Sequence, residues 1–234
     1  MRFSVSLNMN RNHPRIVSFD IDGTLVDFLS MLHAALGVVG QNLASLGGAA
    51  LSSQQLQALR NETASDPRFT GAKLETLRRE SFRRAALSVG LDPDAHVDDL
   101  WQLFLDSREP HRHVYADVAP TLQILKSLGI RVVAASNGNT PLRETPLAGY
   151  FEAWFYAGEI GIAKPATGFY QEAILRLSAK PEDIVHVGDS WAEDYLPALS
   201  CGMGALLLHR GTNLPTVDAV TIFNLHELMD ALSA

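Results

Sequence analysis

The sequence predicts an α/β protein, a parallel sheet flanked by helices and interrupted by one all-helical insertion. Three observations predict it. Short, near-continuous apolar runs, among them Ile16–Phe19, Ile130–Ala135, Ile184–Val187 and Ala205–Leu208, read as buried strands. Segments with apolar residues spaced by three and four alternate with them, the pattern of a parallel sheet covered on both faces. Between Phe28 and Arg112 the alternation stops, and four helical periods follow one another without a convincing strand.

The chain has 234 residues, of which 47% are hydrophobic and 19% charged, enough to bury a large core and too apolar for disorder. The formal charge of −7 disfavours nucleic acid as a partner. Cys201 is the single cysteine, so there is no disulfide framework within the chain, as suits a reducing compartment. No stretch approaches the ~18 consecutive apolar residues of a membrane span. A soluble, cytoplasmic protein is the expectation.

Met1 to Pro14, polar and carrying Asn8, Asn10 and Asn12, reads as a loose leader with no apolar run of signal-peptide length. The strand at Ile16–Phe19 runs into Asp20-Ile21-Asp22-Gly23-Thr24, which is turn chemistry. Phe28, Leu32, Ala35, Val39, Leu43 and Leu46 then mark an amphipathic helix ended by Gly47-Gly48. Ser52 or Ser53 caps a second helix to about Asn61. A third spans Leu74–Val89, ending at Gly90, and a fourth Asp94–Leu105, with Trp101 and Phe104 expected in its core.

Beyond the insertion, Val118, Leu122, Leu125 and Leu128 mark a helix ended by Gly129, followed by the strand Ile130–Ala135 and the loop Ser136-Asn137-Gly138-Asn139. Pro141–Tyr150 reads as a helix, Trp154–Tyr156 as a short strand and Gly168–Leu177 as a helix. The strand Ile184–Val187 enters Gly188-Asp189-Ser190, with a helix near Glu193–Cys201. Pro197 lies close to the start of that helix and is disruptive beyond a first turn, so the helix is expected to start late or bend. Ala205–Leu208, an edge strand at Ala219–Phe223 and a closing helix at Leu225–Leu232 complete the chain.

In open α/β sheets ligands bind at the carboxyl ends of strands. Three polar clusters fall at such ends: Asp20-x-Asp22-Gly-Thr, Ser136-Asn137 and Gly188-Asp189. A fourth element, Lys164-Pro165, lies between strands. Alternate residues of a strand share a face, so Asp20 and Asp22 would point the same way were the strand to continue. Two such carboxylates repel unless a cation or shared proton intervenes, and a hard cation such as Mg2+ takes oxygen ligands.

Asp20-Ile21-Asp22-Gly23-Thr24-Leu25, Ser136-Asn137, Lys164-Pro165 and Gly188-Asp189-x4-Asp194 together resemble the four motifs of the haloacid dehalogenase-like hydrolases, from about Arg15 to the C-terminus. The helical insertion after the first motif resembles the phosphatase branch with a helical cap. The resemblance implies a Rossmann-like catalytic core at 15–27 and 113–234, a cap at 28–112 and a leader at 1–14. It implies a Mg2+-dependent phosphomonoester hydrolase acting on a small phosphorylated metabolite, a sugar phosphate or nucleotide-like compound, as a monomer or homodimer with no nucleic acid or membrane partner. Asp20 would be the nucleophile and Asp22 the acid and base. Lys164 would neutralise charge on the transferring group. Asp20 and Asp189 would ligate Mg2+ through carboxylates and Asp22 through its backbone carbonyl. Ser136 and the amides of Asp22, Gly23 and Asn137 would hold phosphate oxygens. Asp194, preferred to Glu193 by the family spacing, would stand behind the metal and orient bound water or Lys164.

The same core serves sugar phosphomutases, dehalogenases and non-catalytic binding proteins. Dehalogenases in the family lack the second acid of the first motif, present here as Asp22, and no motif residue is lost as a binding protein would allow. Phe28 departs from the small polar residue many relatives carry after Val26-Asp27. From Arg60 to Arg84 the insertion has seven basic residues against four acidic ones. Arg79, Arg83 and Arg84 are candidates to meet an anionic substrate, but are read first as a solvated face with pairs such as Glu80–Arg84. Arg108, His111, Arg112 and His113 lie where the chain leaves the insertion. The mechanism needs no histidine, so all eight are left out of the site. Cys201, in an apolar context, is expected to be inert.

Overall fold

The computed structural model describes residues 14–140, 142–211 and 217–233; apart from Pro14, the leader read at 1–14 lies outside the described residues. The chain divides into two compact units. A sheet unit comprises the residues up to Asp27 and from Val114 onward, and a helical unit comprises Phe28–His113.

The sheet unit holds six parallel strands, β1 (Ile16–Phe19), β2 (Arg131–Ser136), β3 (Ala153–Tyr156), β4 (Ile184–Gly188), β5 (Gly204–Leu208) and β6 (Thr221–Ile222), in the order β3-β2-β1-β4-β5-β6. β1 pairs with β2 on one side and β4 on the other, so the strand order reverses beside it. Carboxyl ends at such a reversal leave a crevice for ligand.

Both faces are apolar, which is why the strands read as continuous runs rather than alternating ones. Val17, Phe19, Val132, Ala134, Val185, Val187 and Leu206 pack on one face. Ile16, Val133, Ala135, Ile184, Ala205 and Leu207 pack on the other, against Phe169 and Tyr170. Each of the Val, Leu, Ile and Phe side chains contributes about 1.5–3 kcal/mol by leaving water. On this second face Ser18 lies opposite His186 in register, both buried. The crossovers are α5 (Val118–Ser127), α6 (Ala157–Ile160), α7 (Thr167–Leu177) and α8 (Leu196–Ser200), with α9 (Leu228–Ser233) closing the chain.

The connections depart from the sequence reading in two places and follow it in a third. No α-helix covers 142–150: two 3-10 turns, Leu142–Glu144 and Pro146–Tyr150, stand there, and Pro141 lies outside the described residues. Pro146 has no N–H, and the Thr145 hydroxyl accepts from the Leu147 amide, so a new turn begins where the helix would have continued. The helix after Asp189 starts late, as Pro197 predicts. A π-helical turn, Trp191–Tyr195, precedes α8, and Pro197 sits in the first turn of α8, where its missing N–H costs nothing. The edge strand shrinks to Thr221–Ile222, and a 3-10 turn at Leu225–Glu227 precedes α9.

The helical unit contains α1 (Phe28–Ser45), α2 (Ser53–Ser65), α3 (Leu74–Ser88) and α4 (Pro93–Arg108). Leu32, Ala35, Leu36, Val39 and Leu43 of α1 bury one stripe against Leu56, Phe82, Ala85, Leu100 and Phe104. Ser52 caps α2 with Gln55 in a reciprocal box. The buried Thr63, whose hydroxyl donates to the Leu59 carbonyl, extends α2 beyond Asn61. Phe104 meets the edge of Phe82 with ring centroids 5.7 Å apart, and the half-buried Trp101 packs beside it. No helix among the described residues is long and apolar enough to cross a membrane.

Candidate active site

The carboxyl ends of β1, β2 and β4 bring together residues far apart in sequence. Asp20 follows β1, and its amide donates to the Val187 carbonyl of β4, fixing the chain direction at that point. The buried Lys164 ammonium donates to Asp20 Oδ1 at 2.7 Å and to Asp194 Oδ1 at 2.5 Å. Carboxylate oxygens of Asp20, Asp189 and Asp194 lie within 4.8 Å of one another. Three acids around one ammonium leave an excess of negative charge.

The electrostatics register that excess. Burial pushes Asp20 well above the usual carboxylate range; Lys164 opposes the shift, while Asp194 and Asp189 add to it. Asp189 reaches solvent, yet the protein packed around its carboxylate, with Asp194, pushes it up to about 6. Burial alone would raise Asp194, but Lys164 and His186 hold it below the usual range. Lys164 is driven the other way: burial would lower it, and Asp20 and Asp194 keep it above the ordinary lysine value. An all-oxygen cluster whose protons are hard to remove suits a hard divalent cation. Asp20 and Asp189 are the side chains placed to hold one, with Asp194 beside them engaged by Lys164, His186 and the Ser190 amide.

Asp22 stands apart from this cluster. The Thr140 hydroxyl donates to its Oδ1, and the Tyr156 hydroxyl in turn donates to the Thr140 carbonyl. A side chain at Gly138 would begin where Asp22 Oδ2 lies, and 3.4 Å from the Ser136 hydroxyl, so only glycine admits the Asp22 carboxylate here. Ser136, buried at the end of β2, accepts from the Gly138 amide at 3.0 Å. The Ser136 hydroxyl and Asp22 Oδ2 thus border one small space.

Gly23 takes φ +93°, which a side chain would strain, and its bare α-carbon faces the Asp189 carboxyl. Its amide donates to the Val26 carbonyl at 2.9 Å, which corrects the expectation that this N–H holds a phosphate oxygen: it closes the turn. The Thr24 hydroxyl reaches Asp189 Oδ1 at 3.4 Å. The Thr24 carbonyl accepts from Arg210, which also makes a two-pronged ion pair with Asp117 and lies 3.7 Å over the Tyr115 ring.

The Asn137 side chain clamps the backbone of Lys164. Its oxygen accepts from the Lys164 amide and its nitrogen donates to the Lys164 carbonyl, both at 2.8 Å, and also to Glu193 at 2.9 Å. Glu193 thus belongs to the clamp, and Asp194 is the residue on Lys164. The π-helical turn turns both amides of Asp194 and Tyr195 onto the Ser190 carbonyl, and the Asp194 carboxylate accepts from the Ser190 amide.

Sequence reasoning missed His186, which the structure brings into the cluster. Its ring bridges Ser18 Oγ, 3.0 Å from Nδ1, and Asp194 Oδ1, 3.1 Å from Nε2, with Tyr170 edge-on beneath. Burial holds it below the usual histidine value, and a neutral ring donates from one nitrogen only. Cys201, half-buried with its thiol pushed up by burial, is unreactive by that measure.

A family model for haloacid dehalogenase-like hydrolases matches residues 14–202. A glyceraldehyde 3-phosphate phosphatase of Methanopyrus kandleri is 30% identical over 129 residues, 53% of this chain and 55% of that protein. A phosphoserine phosphatase of Thermus thermophilus is 25% identical over 225 residues, 84% of this chain and 89% of that protein. The matched stretch spans about half the length of several curated relatives, the first of these included. Among solved structures, a 2-haloacid dehalogenase of Pseudomonas syringae pv. Tomato is 27% identical, with 94% of this chain and 98% of that chain covered at a TM-score of 0.75.

Proposed function

The chain belongs to the haloacid dehalogenase-like hydrolases, and from that premise we propose that it is a Mg2+-dependent phosphomonoester hydrolase acting on a small phosphorylated metabolite. The observation that carries this reading is the meeting of Asp20, Asp189 and Asp194 carboxylates within 4.8 Å around Lys164. Attack by a carboxylate on a phosphate dianion sets two negative groups against each other and needs cationic compensation.

In this reading Asp20 attacks phosphorus and becomes an aspartyl phosphate. Asp22, held by Thr140, protonates the departing alcohol and then takes a proton from the water that cleaves the acyl phosphate. Lys164 offsets charge on the transferring oxygens, the Ser136 hydroxyl donates to one of them, and Asp194 with Asn137 keeps Lys164 in place. When bound, Mg2+ supplies Lewis-acid charge neutralisation between nucleophile and phosphate, with Asp20 and Asp189 as carboxylate ligands, the Asp22 carbonyl as a third and Asp194 behind them. The phosphatase names of the two curated relatives agree with this chemistry. A cytoplasmic setting goes with it, on the single cysteine.

The likeness to a dehalogenase favours a second reading, hydrolysis of a carbon–halogen bond. That reaction expels halide, which needs no proton, and leaves Asp22 and its Thr140 contact without a task. Phosphate and halide release decide between the two. With Mg2+, the protein should release phosphate from a panel of small phosphomonoesters, stop on chelation, and lose turnover in Asp20→Asn. Halide release from 2-chloropropionate, or no turnover across the panel by a folded, metal-binding protein, would overturn the phosphatase reading.

A further inference from the structure

Arg78 lies on the inward stripe of α3, beside Leu77, Ser81 and Phe82, and is 8% exposed. One of its terminal nitrogens, Nη2, donates to Gln57 Oε1 at 2.9 Å. The other, Nη1, is buried with no hydrogen-bond partner, the single such side-chain atom among the described residues. The guanidinium lies 5.5 Å from the Phe104 ring centroid, and that of Arg108 5.9 Å from the same centroid. Arg60, one turn beyond Gln57 on α2, adds to the positive field at Arg78 and donates to the amide oxygen of Asn61 at 3.4 Å.

Neither Arg78 nor Arg60 makes an ion pair among the described residues. Their oxygen partners are the neutral amides of Gln57 and Asn61. Burial, with Arg60 and Arg108, depresses Arg78 to about 10, so it stays cationic at neutral pH. A buried donor left unmade costs its full desolvation, more so when charged. The other arginines of α3 show what ordinary compensation looks like here. Arg79 pairs with Glu75 and Asp98, Arg83 with Asp94 and Glu80, and Arg84 with Asp66 and Glu80.

We propose that Arg78, flanked by Arg60 and Arg108, is an anion-binding site of the helical unit that takes a carboxylate or phosphate group. A guanidinium offering a second N–H beside its Gln57 contact suits the paired oxygens of either group. The anion comes either from a second acidic group on the substrate, a source that rests on the phosphatase reading, or from a free oxyanion such as inorganic phosphate. The cluster lies near the end of the helical unit where α4 hands the chain on, five residues before His113 in the case of Arg108.

Two measurements on the full chain, its Arg78→Gln variant and its Arg78→Lys variant test this. The first is thermal unfolding in sodium phosphate against sodium chloride at equal ionic strength, which does not depend on turnover. The second is the ratio of kcat/KM for carboxylate-bearing phosphoesters (phosphoserine and 2-phosphoglycolate) to that for p-nitrophenyl phosphate. A ratio that falls about tenfold or more in Arg78→Gln, the loss of one charge-assisted contact, with partial retention in Arg78→Lys, assigns the site to the substrate. Stabilisation by phosphate that Arg78→Gln loses while the ratio holds assigns it to a free anion. If the wild type hydrolyses none of these esters, the unfolding measurement alone decides the anion site, and the wider panel decides the phosphatase reading. Neither effect in a folded variant overturns the proposal.

Discussion

In the sheet unit the buried charges of Asp20, Lys164 and Asp194 touch one another, whereas in the helical unit the buried guanidinium of Arg78 meets a neutral amide oxygen and an aromatic ring. The first group is delivered by three separate segments, after β1, between α6 and α7 and after β4, so each charge is answered by a neighbour from elsewhere in the chain. The second is delivered by adjacent helices several of whose acidic residues, Glu75, Glu80, Asp94 and Asp98, are engaged with Arg79, Arg83 and Arg84 at the surface. Internal compensation keeps an apparatus in one arrangement, ready for any substrate that fits. Missing compensation leaves a preference for whatever brings the missing charge.

That contrast can be broken most severely at Lys164. Lys164→Met leaves Asp20 and Asp194 facing each other without the ammonium. Turnover should fall by about a thousandfold or more, with about 3–5 kcal/mol of stability lost from the broken buried pair. Steady-state rates and urea unfolding measure the two effects, and a well-folded, active variant would show that the compensation is not needed.

A smaller and more selective effect is expected at Thr140. Thr140→Val removes the donor from Asp22 Oδ1, so kcat/KM should drop about tenfold to a hundredfold for alkyl phosphates, whose leaving group must be protonated. p-Nitrophenyl phosphate, whose leaving group departs readily as an anion, should lose much less. Thr140→Ser should restore the alkyl rate, and in an Asp22→Asn background the Thr140 change should add nothing. Equal losses on both substrate types would reduce Thr140 to a packing role.

The excess negative charge of the sheet unit also predicts a pH signature. Asp189 sits at about 6 in the folded protein against 3.8 unfolded, and Asp20 is raised in the same sense. These two carboxyls therefore bind more protons in the folded state than in the unfolded state from about pH 4 upward, so their contribution to the stability of the metal-free protein falls as pH rises through about 6. The share of Asp189 is lost above about pH 6, where Mg2+ should reverse it. Melting temperatures with Mg2+ and with chelator check this, and a metal-free protein that gains stability from pH 4 to 6 would contradict it. The smallest effect belongs to the surface of the helical unit. Arg79→Gln should change stability by no more than about 0.5 kcal/mol in urea unfolding and leave turnover as it was.

The two units were also unequally legible. Apolar spacing sufficed for β1, β2, β4 and β5 and for the stripe of α1, because burial on both sheet faces and on one helix face writes itself directly into residue type. It failed where backbone donors decide: Pro146 and the Thr145 hydroxyl replace a helix with two short turns, and the turn before α8 takes a π form. Asp20, Asp189, Asp194 and Lys164 were visible as polar residues at or between strand ends. His186 was not, because a histidine inside an apolar strand gives no sign of its partner until the register sets it opposite Ser18. Thr140 lay in a turn-rich loop without a pattern to mark it. Arg78 was hidden among basic neighbours, although its spacing to Phe82 and Ala85 follows the buried stripe of α3 rather than the charged face.

Val26 and Val114 form an antiparallel bridge, and the Tyr115 amide donates to the Leu25 carbonyl at 3.0 Å. The two points at which the chain leaves and re-enters the sheet unit therefore abut. A polypeptide loop whose ends are already joined adds little closure entropy as it lengthens, the dependence being only logarithmic. Such a junction tolerates exchange of whatever it carries: one helical module can be traded for another, larger or smaller, while the strand order and the carboxylates beside β1 stay as they are.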